Sequence, residues 1–87
     1  MEVRKRRTAP SGWRYAVIQE RRCHLDLGEY DTCAIQASQC ISRGYVVLEI
    51  LHDITSDYLL AKELADSFTR QQLSPIHFRD AIRDFLL

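Results

Sequence analysis

The sequence is poor in glycine and proline, and its apolar runs are short. The three glycines, at positions 12, 28 and 44, are too far apart to form the loops that cradle phosphates, which excludes a P-loop or a dinucleotide-binding fold on motif grounds. The longest apolar run, residues 45–51, is interrupted by Glu49 and is much shorter than the ~20 residues of a membrane helix. We therefore expect no membrane association.

The three cysteines, Cys23, Cys33 and Cys40, are an odd number. A closed disulfide framework, as found in small secreted domains, would leave one thiol unpaired, so the count favours a reducing compartment. The basic residues near the N-terminus are followed by residues 8–12, which lack the apolar stretch of a signal peptide. These features predict a cytoplasmic protein.

The length of 87 residues fits one domain, and 46% hydrophobic with 28% charged residues is typical of a globular chain. The net charge of zero conceals an uneven distribution, because residues 1–22 carry a net charge of +5 and residues 23–87 a net charge of −5. We predict a basic N-terminal arm over residues 1–11 and a single α+β domain over residues 12–87.

Three segments have the composition and alternation of β-strands. The first begins at Trp13, and its alternation is interrupted near Glu20. The second covers residues 30–38, and the third covers residues 45–51 after a turn that ends at Gly44. Consecutive strands joined by short turns favour an antiparallel meander.

The parity of the third strand decides which of its residues face the core. Glu49 lies among the odd positions, so we predict that Val46, Leu48 and Ile50 face inward. The odd positions then lie on the opposite face, which two helices on one side of a sheet leave open. This face is covered by the arm or a loop, or else it is a dimer or partner interface. Its candidate interface residues are Ala16, Ile18, Tyr45, Val47 and Leu51.

After residue 53 the apolar period lengthens to between three and four. Thr55 or Ser56 is the predicted N-cap of a helix that ends near Gln72, with Leu60, Leu64 and Phe68 on its inward stripe. Pro75 begins a second helix. The order predicts an α+β fold in which a three-stranded antiparallel meander is followed by two C-terminal helices packed on one sheet face. The second helix has an apolar face of Phe78, Ala81, Ile82, Phe85 and Leu86.

From Cys33 onward the chain resembles a family of small proteins from clostridia-like Gram-positive bacteria that contain a domain of unknown function. The matching segments are residues 33–35, residues 53–55 and above all residues 73–86, with a Leu-Ser-Pro-x-His opening and an Asp-Phe-Leu ending. The resemblance implies this fold and a bacterial cytoplasmic setting, and it supplies no activity. The motif residues to which it points as structural are Asp53, Pro75, His77, Asp80, Asp84 and Phe85.

Acid–base, thiol and metal chemistry find little support in the spacing of the polar residues. His77 and Asp80 lie three apart on one helix and are able to touch, but no nucleophile or oxyanion hole is indicated beside them. The cysteines and histidines form no Cys-x-x-Cys, Cys-x-x-His or His-x-x-x-His pair. We predict no catalytic residue, no metal site and no cofactor.

The sequence thus favours a non-enzymatic interaction or regulatory module that self-associates through its sheet, with a second copy or an unknown protein as partner. The alternative is a nucleic-acid accessory protein. In that case a basic cluster next to Trp13 and Tyr15 would bind phosphates weakly and in a salt-dependent way while the rings stack on bases. The basic residues of this alternative are Arg4, Lys5, Arg6, Arg7 and Arg14.

Overall fold

The computed structural model describes residues 12–86, which form a three-stranded antiparallel sheet followed by two helices. The predicted α+β fold, with both helices on one face of a meander, is confirmed. The predicted arm, residues 1–11, lies outside the described residues. The elements in chain order are β1 (Trp13–His24), β2 (Gly28–Ile41), β3 (Gly44–Thr55), α1 (Tyr58–Gln71), a 3-10 turn (Pro75–His77) and α2 (Phe78–Leu86).

All three strands are longer than the sequence pattern predicts. β1 pairs with β2 without interruption as far as the match of His24 with Gly28, so the turn falls at residues 25–27. Cross-strand charges accompany this extension, because the Arg21 guanidinium lies 3.1 Å from both Glu29 and Asp31. The interruption of the alternation near Glu20 therefore does not end the strand. Opposite charges on paired strands sustain the ladder where the apolar alternation has stopped.

A β-bulge in β3 reverses the predicted parity of that strand. Ala37 pairs with Glu49, whereas the next residue of β2, Ser38, pairs with Val47. Leu48 is therefore an extra residue with no partner of its own across the ladder. Side chains alternate faces along a regular strand, so one inserted residue exchanges the two faces for everything that follows it.

Leu51 consequently belongs to the core beneath the helices and not to the opposite face. Glu49 lies on the same helix side, where Arg79 of α2 pairs with it at 2.6 Å. The inward prediction holds for Val46, which pairs with Gln39 on the helix side, and is wrong for Ile50, which lies beyond the bulge and pairs with Gln36 on the other face. Leu51 is thus removed from the predicted interface set, and Ile50 takes its place.

A second register shift falls between residues 33 and 35 of β2 and adds two more residues to β3. Asp53 adopts a left-handed φ of 55° there, which a short polar side chain tolerates better than most. The Tyr30 hydroxyl donates to the Asp53 carboxylate at 2.9 Å, and this hydrogen bond raises the pKa of Tyr30. The irregularity brings Ile54 into the core.

Helix α1 begins with Asp57 as its N-cap. The Asp57 carboxylate accepts the Leu60 N–H at 3.2 Å, and the Thr55 hydroxyl accepts the Asp57 N–H at 3.1 Å. The predicted cap at Thr55 or Ser56 is therefore displaced by one or two residues. Thr55 shapes the turn before the cap, and the carboxylate that complements the positive end of the helix does the capping.

The second helix starts later than the sequence predicts. Pro75 opens a 3-10 turn in which the His77 N–H donates to the Ser74 carbonyl at 2.9 Å, and α2 begins only at Phe78. A single short turn of this kind commonly precedes an α-helix. His77 thus lies in the turn before the helix and not in the first turn of the helix itself.

Three aromatic rings join the sheet to both helices. Tyr15 of β1, Phe68 of α1 and Phe78 of α2 meet edge to face, with ring centroids 5.1 to 6.2 Å apart. Ala61 and Ala65 are completely buried, so α1 approaches the sheet through small residues, and Leu64 of the predicted stripe packs against the core with Phe68. The core is centred on these rings and lies above β1 and β2.

Phe78→Ala is expected to lower the free energy of unfolding by about 3–5 kcal/mol, because it leaves a cavity. The substitution removes the ring that α2 contributes to the cluster of Tyr15, Phe68 and Phe78. Urea unfolding followed by circular dichroism measures the loss. Leu59→Ala is the control, since Leu59 is 76% exposed on α1 and its truncation should cost within about 0.5 kcal/mol. Equal losses in the two variants would contradict the assigned core.

Tyr15 makes stability fall in the alkaline range. Burial, followed by the charge of Glu49, raises the pKa of Tyr15 from 10.0 to about 12. The unfolded chain releases this proton first, so the contribution is complete below pH 10 and is lost as the pH rises towards 12. Urea midpoints across this range should fall more steeply for the protein than for Tyr15→Phe. Parallel slopes would show that the Tyr15 phenol is not buried.

Candidate interaction surface

The sheet face opposite the helices carries a half-exposed apolar set, here called the open face. It consists of Ala16 and Ile18 of β1 with Tyr45, Val47 and Ile50 of β3. Pairing fixes this assignment, since Ala16 and Ile50 both pair with Gln36 of the central strand. Four of the five residues that the sequence predicts for the interface thus share one face.

Polar groups also occupy the open face. Glu20 lies 2.8 Å from Nδ1 of His52 across the sheet, and the amide of Gln36 donates to the Ser38 hydroxyl at 3.3 Å. The Glu20–His52 pair is partly exposed, although Oε1 of Glu20 is buried without a hydrogen-bond partner, so covering this face would leave further polar atoms in need of partners. The open face is therefore mixed in character and not a dry apolar surface.

The free edge of β1 is closed at its beginning by side chains of α1 and the residue that follows it. The Gln72 side-chain amide accepts the Trp13 N–H and donates to the Trp13 carbonyl, each at 2.9 Å. The Thr69 hydroxyl accepts the Tyr15 N–H at 3.0 Å. These side chains occupy the positions that the backbone of a fourth strand would take. A Cβ on Gly12 would lie 2.3 Å from the Gln72 oxygen, so the closure needs a glycine there.

Charge protects the next part of the same edge. Glu20, Arg21 and Arg22 follow one another on β1, and each lies within an ion pair. Charged side chains on an edge strand oppose the addition of another strand, because they would have to be desolvated or matched. The beginning of the β1 edge and its stretch from Glu20 to Arg22 are thus unfavourable for strand addition.

The β3 edge has neither kind of protection. Tyr45, Val46, Val47 and Leu48 are consecutive, uncharged and 45–53% exposed. We call this segment, residues 45–48, the β3 edge run. Within residues 12–86, no side chain hydrogen-bonds to the backbone of residues 44–54. An uncharged edge of this kind is a template for strand addition.

An apolar groove of about 320 Å³ lies between β3 and α2 on the helix side. Its two arginines are neutralised from outside the groove, because Arg79 pairs with Glu49 and Arg83 pairs with Asp80. The groove continues the apolar character of the β3 edge onto the helix side. Its apolar lining consists of Leu51, Ile54, Ile82 and Leu86.

The contact between His77 and Asp80 that their spacing allows is not formed. Asp80 pairs with Arg83 at 2.5 Å, and His77 is exposed in the preceding 3-10 turn. Among the other motif residues, Asp84 is exposed on α2 and Phe85 packs against the core, so the motif acts through turn geometry and packing. Arg79, Asp80 and Arg83 of α2 are thus engaged in ion pairs.

The three cysteines lie in different surroundings: Cys23 is exposed, Cys33 is buried and Cys40 is half-buried. Burial, followed by the charge of Asp57, raises the pKa of the Cys33 thiol, which keeps it protonated. Among residues 12–86, no group of three or more histidine, cysteine or acidic side chains is close enough to hold a metal ion.

The structure describes only Arg14 among the basic residues of the nucleic-acid alternative. Residues 4–7 lie outside the described residues, and Arg14 is placed on the open-face side with its guanidinium 4.8 Å from the centre of the Tyr45 ring. This cation–π contact gives Arg14 a local partner within the sheet. The nucleic-acid reading of the basic cluster stays a prediction.

Comparisons with protein-family models, with curated proteins and with solved structures find no match. The resemblance of the C-terminal segment to the clostridial family therefore stays a prediction. No helix within residues 12–86 is long and apolar enough to cross a membrane. The contrast between the two sheet edges is therefore the main indication of function on this surface.

Thr69→Val should reopen the closed part of the β1 edge, because it keeps the shape of the side chain and removes the acceptor of the Tyr15 N–H. We expect amide exchange at Tyr15 to accelerate by about tenfold or more, with a stability loss of about 1 kcal/mol. Hydrogen exchange followed by NMR measures this effect. Thr69→Ser keeps the hydroxyl and serves as control, and faster exchange in both variants would refute the role of the hydroxyl.

Proposed function

We propose that this protein is a non-enzymatic interaction module that self-associates through its sheet. The observation that carries the proposal is the β3 edge run, four adjacent apolar residues that are each about half exposed at an unprotected sheet edge. Leaving such a surface in water is unfavourable, and contiguous exposed apolar surface marks sites where proteins associate.

The surroundings of the β3 edge run support the proposal. The open-face residues Val47 and Ile50 extend it on one side of the sheet, and the groove beside α2 extends it on the other. The apolar surface therefore wraps around one edge and reaches both faces. A surface of this form suits a partner that brings an edge of its own.

The larger groove, between β1 and α1, favours a binding role over a catalytic one. It measures about 490 Å³, and its charged groups include Lys62 and Asp66, which pair with each other at 2.9 Å. A general acid or base must be within reach of the proton that it transfers, and these two groups already neutralise each other on one helix. This arrangement offers a polar surface and no activated nucleophile.

Self-association is tested by sedimentation equilibrium or light scattering over a wide range of protein concentrations. We expect a monomer–dimer equilibrium in which Val47→Lys weakens the dimer by about tenfold or more, because the charge must be buried at the apolar edge. Leu59→Lys is the matched control, since Leu59 is an exposed apolar residue on α1, away from the β3 edge. A strict monomer at every concentration would refute the proposed function.

A further inference from the structure

We propose that the partner of the β3 edge is a second copy of this chain, whose own β3 pairs antiparallel with the first across a twofold axis. The two three-stranded sheets then form one continuous six-stranded sheet. This inference rests on the proposed function, which it deepens by naming the occupant, the strand and the direction of pairing. It requires backbone hydrogen bonds between copies, which stacking of two open faces would not form.

The direction of the backbone groups along β3 follows from the pairing of the other strands. Tyr15 donates its N–H to Thr69, so its backbone points away from β2, and odd residues of β1 therefore face outward. On β2 the backbone N–H and C=O groups of the odd residues consequently point towards β3. Ile35 pairs with Leu51, so Leu51 faces β2 and Ile50 points its N–H and C=O outward.

The backbone directions of the β3 residues before the bulge follow in the same way. Val46 pairs with Gln39, an odd residue of β2, so Val46 faces β2 and Val47 points outward. Unpaired backbone groups of an edge strand gain partners when another strand is added. The contrast with β1 is direct, because Trp13 and Tyr15 on that edge already receive side-chain partners.

A second copy suits this edge because the strand is compatible with itself. A twofold axis that passes close to the β3 edge run brings the run opposite or diagonal to its own copy in an antiparallel contact. No charge lies within the run, so no like charges meet there. Glu49 comes next in the strand and is already paired with Arg79 of its own chain, which limits repulsion between the two copies.

Edge pairing also buries fewer polar groups than face stacking does. Two stacked open faces would cover the contact of Glu20 with His52 and the amide of Gln36, all of which need partners once water is removed. Pairing at the β3 edge leaves Glu20 and the amide of Gln36 uncovered, because they lie on β1 and on the central strand, whereas His52 belongs to β3 and keeps Glu20 as its partner. The apolar residues and the unpaired backbone of β3 are covered instead.

Two substitutions of the same chemistry separate the two arrangements. Val47→Lys places a charge at the β3 edge, whereas Ile18→Lys places one on the open face of β1, two strands away. Sedimentation should show a dimer weakened about tenfold or more by Val47→Lys and less than about threefold by Ile18→Lys. Because Val47 also belongs to the open face, stacking would make Ile18→Lys weaken the dimer as much as Val47→Lys does. Comparable weakening, or the reverse order, would overturn edge pairing and leave self-association through the sheet intact.

Amide hydrogen exchange of the unmodified protein supplies a test that does not depend on the folding of any variant. The outward amides of Val47 and Ile50 should exchange about tenfold or more slowly above the dimerisation concentration than below it, because they become hydrogen-bonded between copies. The outward amides of Val17 and Gln19 on β1 are internal controls and should not change. Dimerisation without slowing at Val47 and Ile50 would overturn the inference.

Discussion

The architecture depends on the position of Tyr15. Its ring meets Phe68 of α1 and Phe78 of α2, and its hydroxyl donates to the Leu73 carbonyl, 2.5 Å away in the link between the helices. One residue of β1 is thereby tied to both helices and to the link between them. Because these contacts hold α1 over β1, the hydroxyl of Thr69 comes within reach of the β1 edge. The closure of one edge and the exposure of the other both follow from this placement.

The bulge at Leu48 has a comparable effect on the other side of the sheet. It places Glu49 beneath α2, where Arg79 pairs with it, and it turns Ile50 to the open face. In a regular strand without the bulge, Glu49 would lie on the open face and Ile50 would lie on the helix side. The bulge thus supplies α2 with an ion pair at the sheet, and it also makes the apolar surface of β3 continuous from the edge to the open face.

Local patterns in the sequence suffice to predict the order of elements. They fail where contacts between distant residues determine the local geometry. Alternation locates all three strands, and the change of period after residue 53 locates the helices. The bulge leaves no glycine or polar signal at Leu48, so the parity of β3 could not be obtained from alternation. Helix capping was predicted within two residues because Thr55, Ser56 and Asp57 are all suitable cap residues, and only geometry selects Asp57.

The candidate site was predicted in part for the same reason. Four interface residues follow from alternation on β1 and on β3 before the bulge, whereas Leu51 lies beyond the bulge and was misplaced. The closure of the β1 edge involves residues more than 50 positions apart, such as Trp13 and Gln72, and no local pattern encodes it. What distinguishes the two edges is therefore visible only in the folded chain.

The asymmetry of the edges also bears on how large an assembly could grow. A sheet with two open edges adds strands without limit, which is the route to fibres. Pairing through β3 alone would leave β1 at both outer edges of the six-stranded sheet. There, the side chains of Thr69 and Gln72 already hydrogen-bond to the backbone of Tyr15 and Trp13. Charged residues follow along the strand. Under the proposed pairing, the features that protect β1 in one chain would thus oppose growth of the sheet beyond two copies, which is the closure of a twofold dimer.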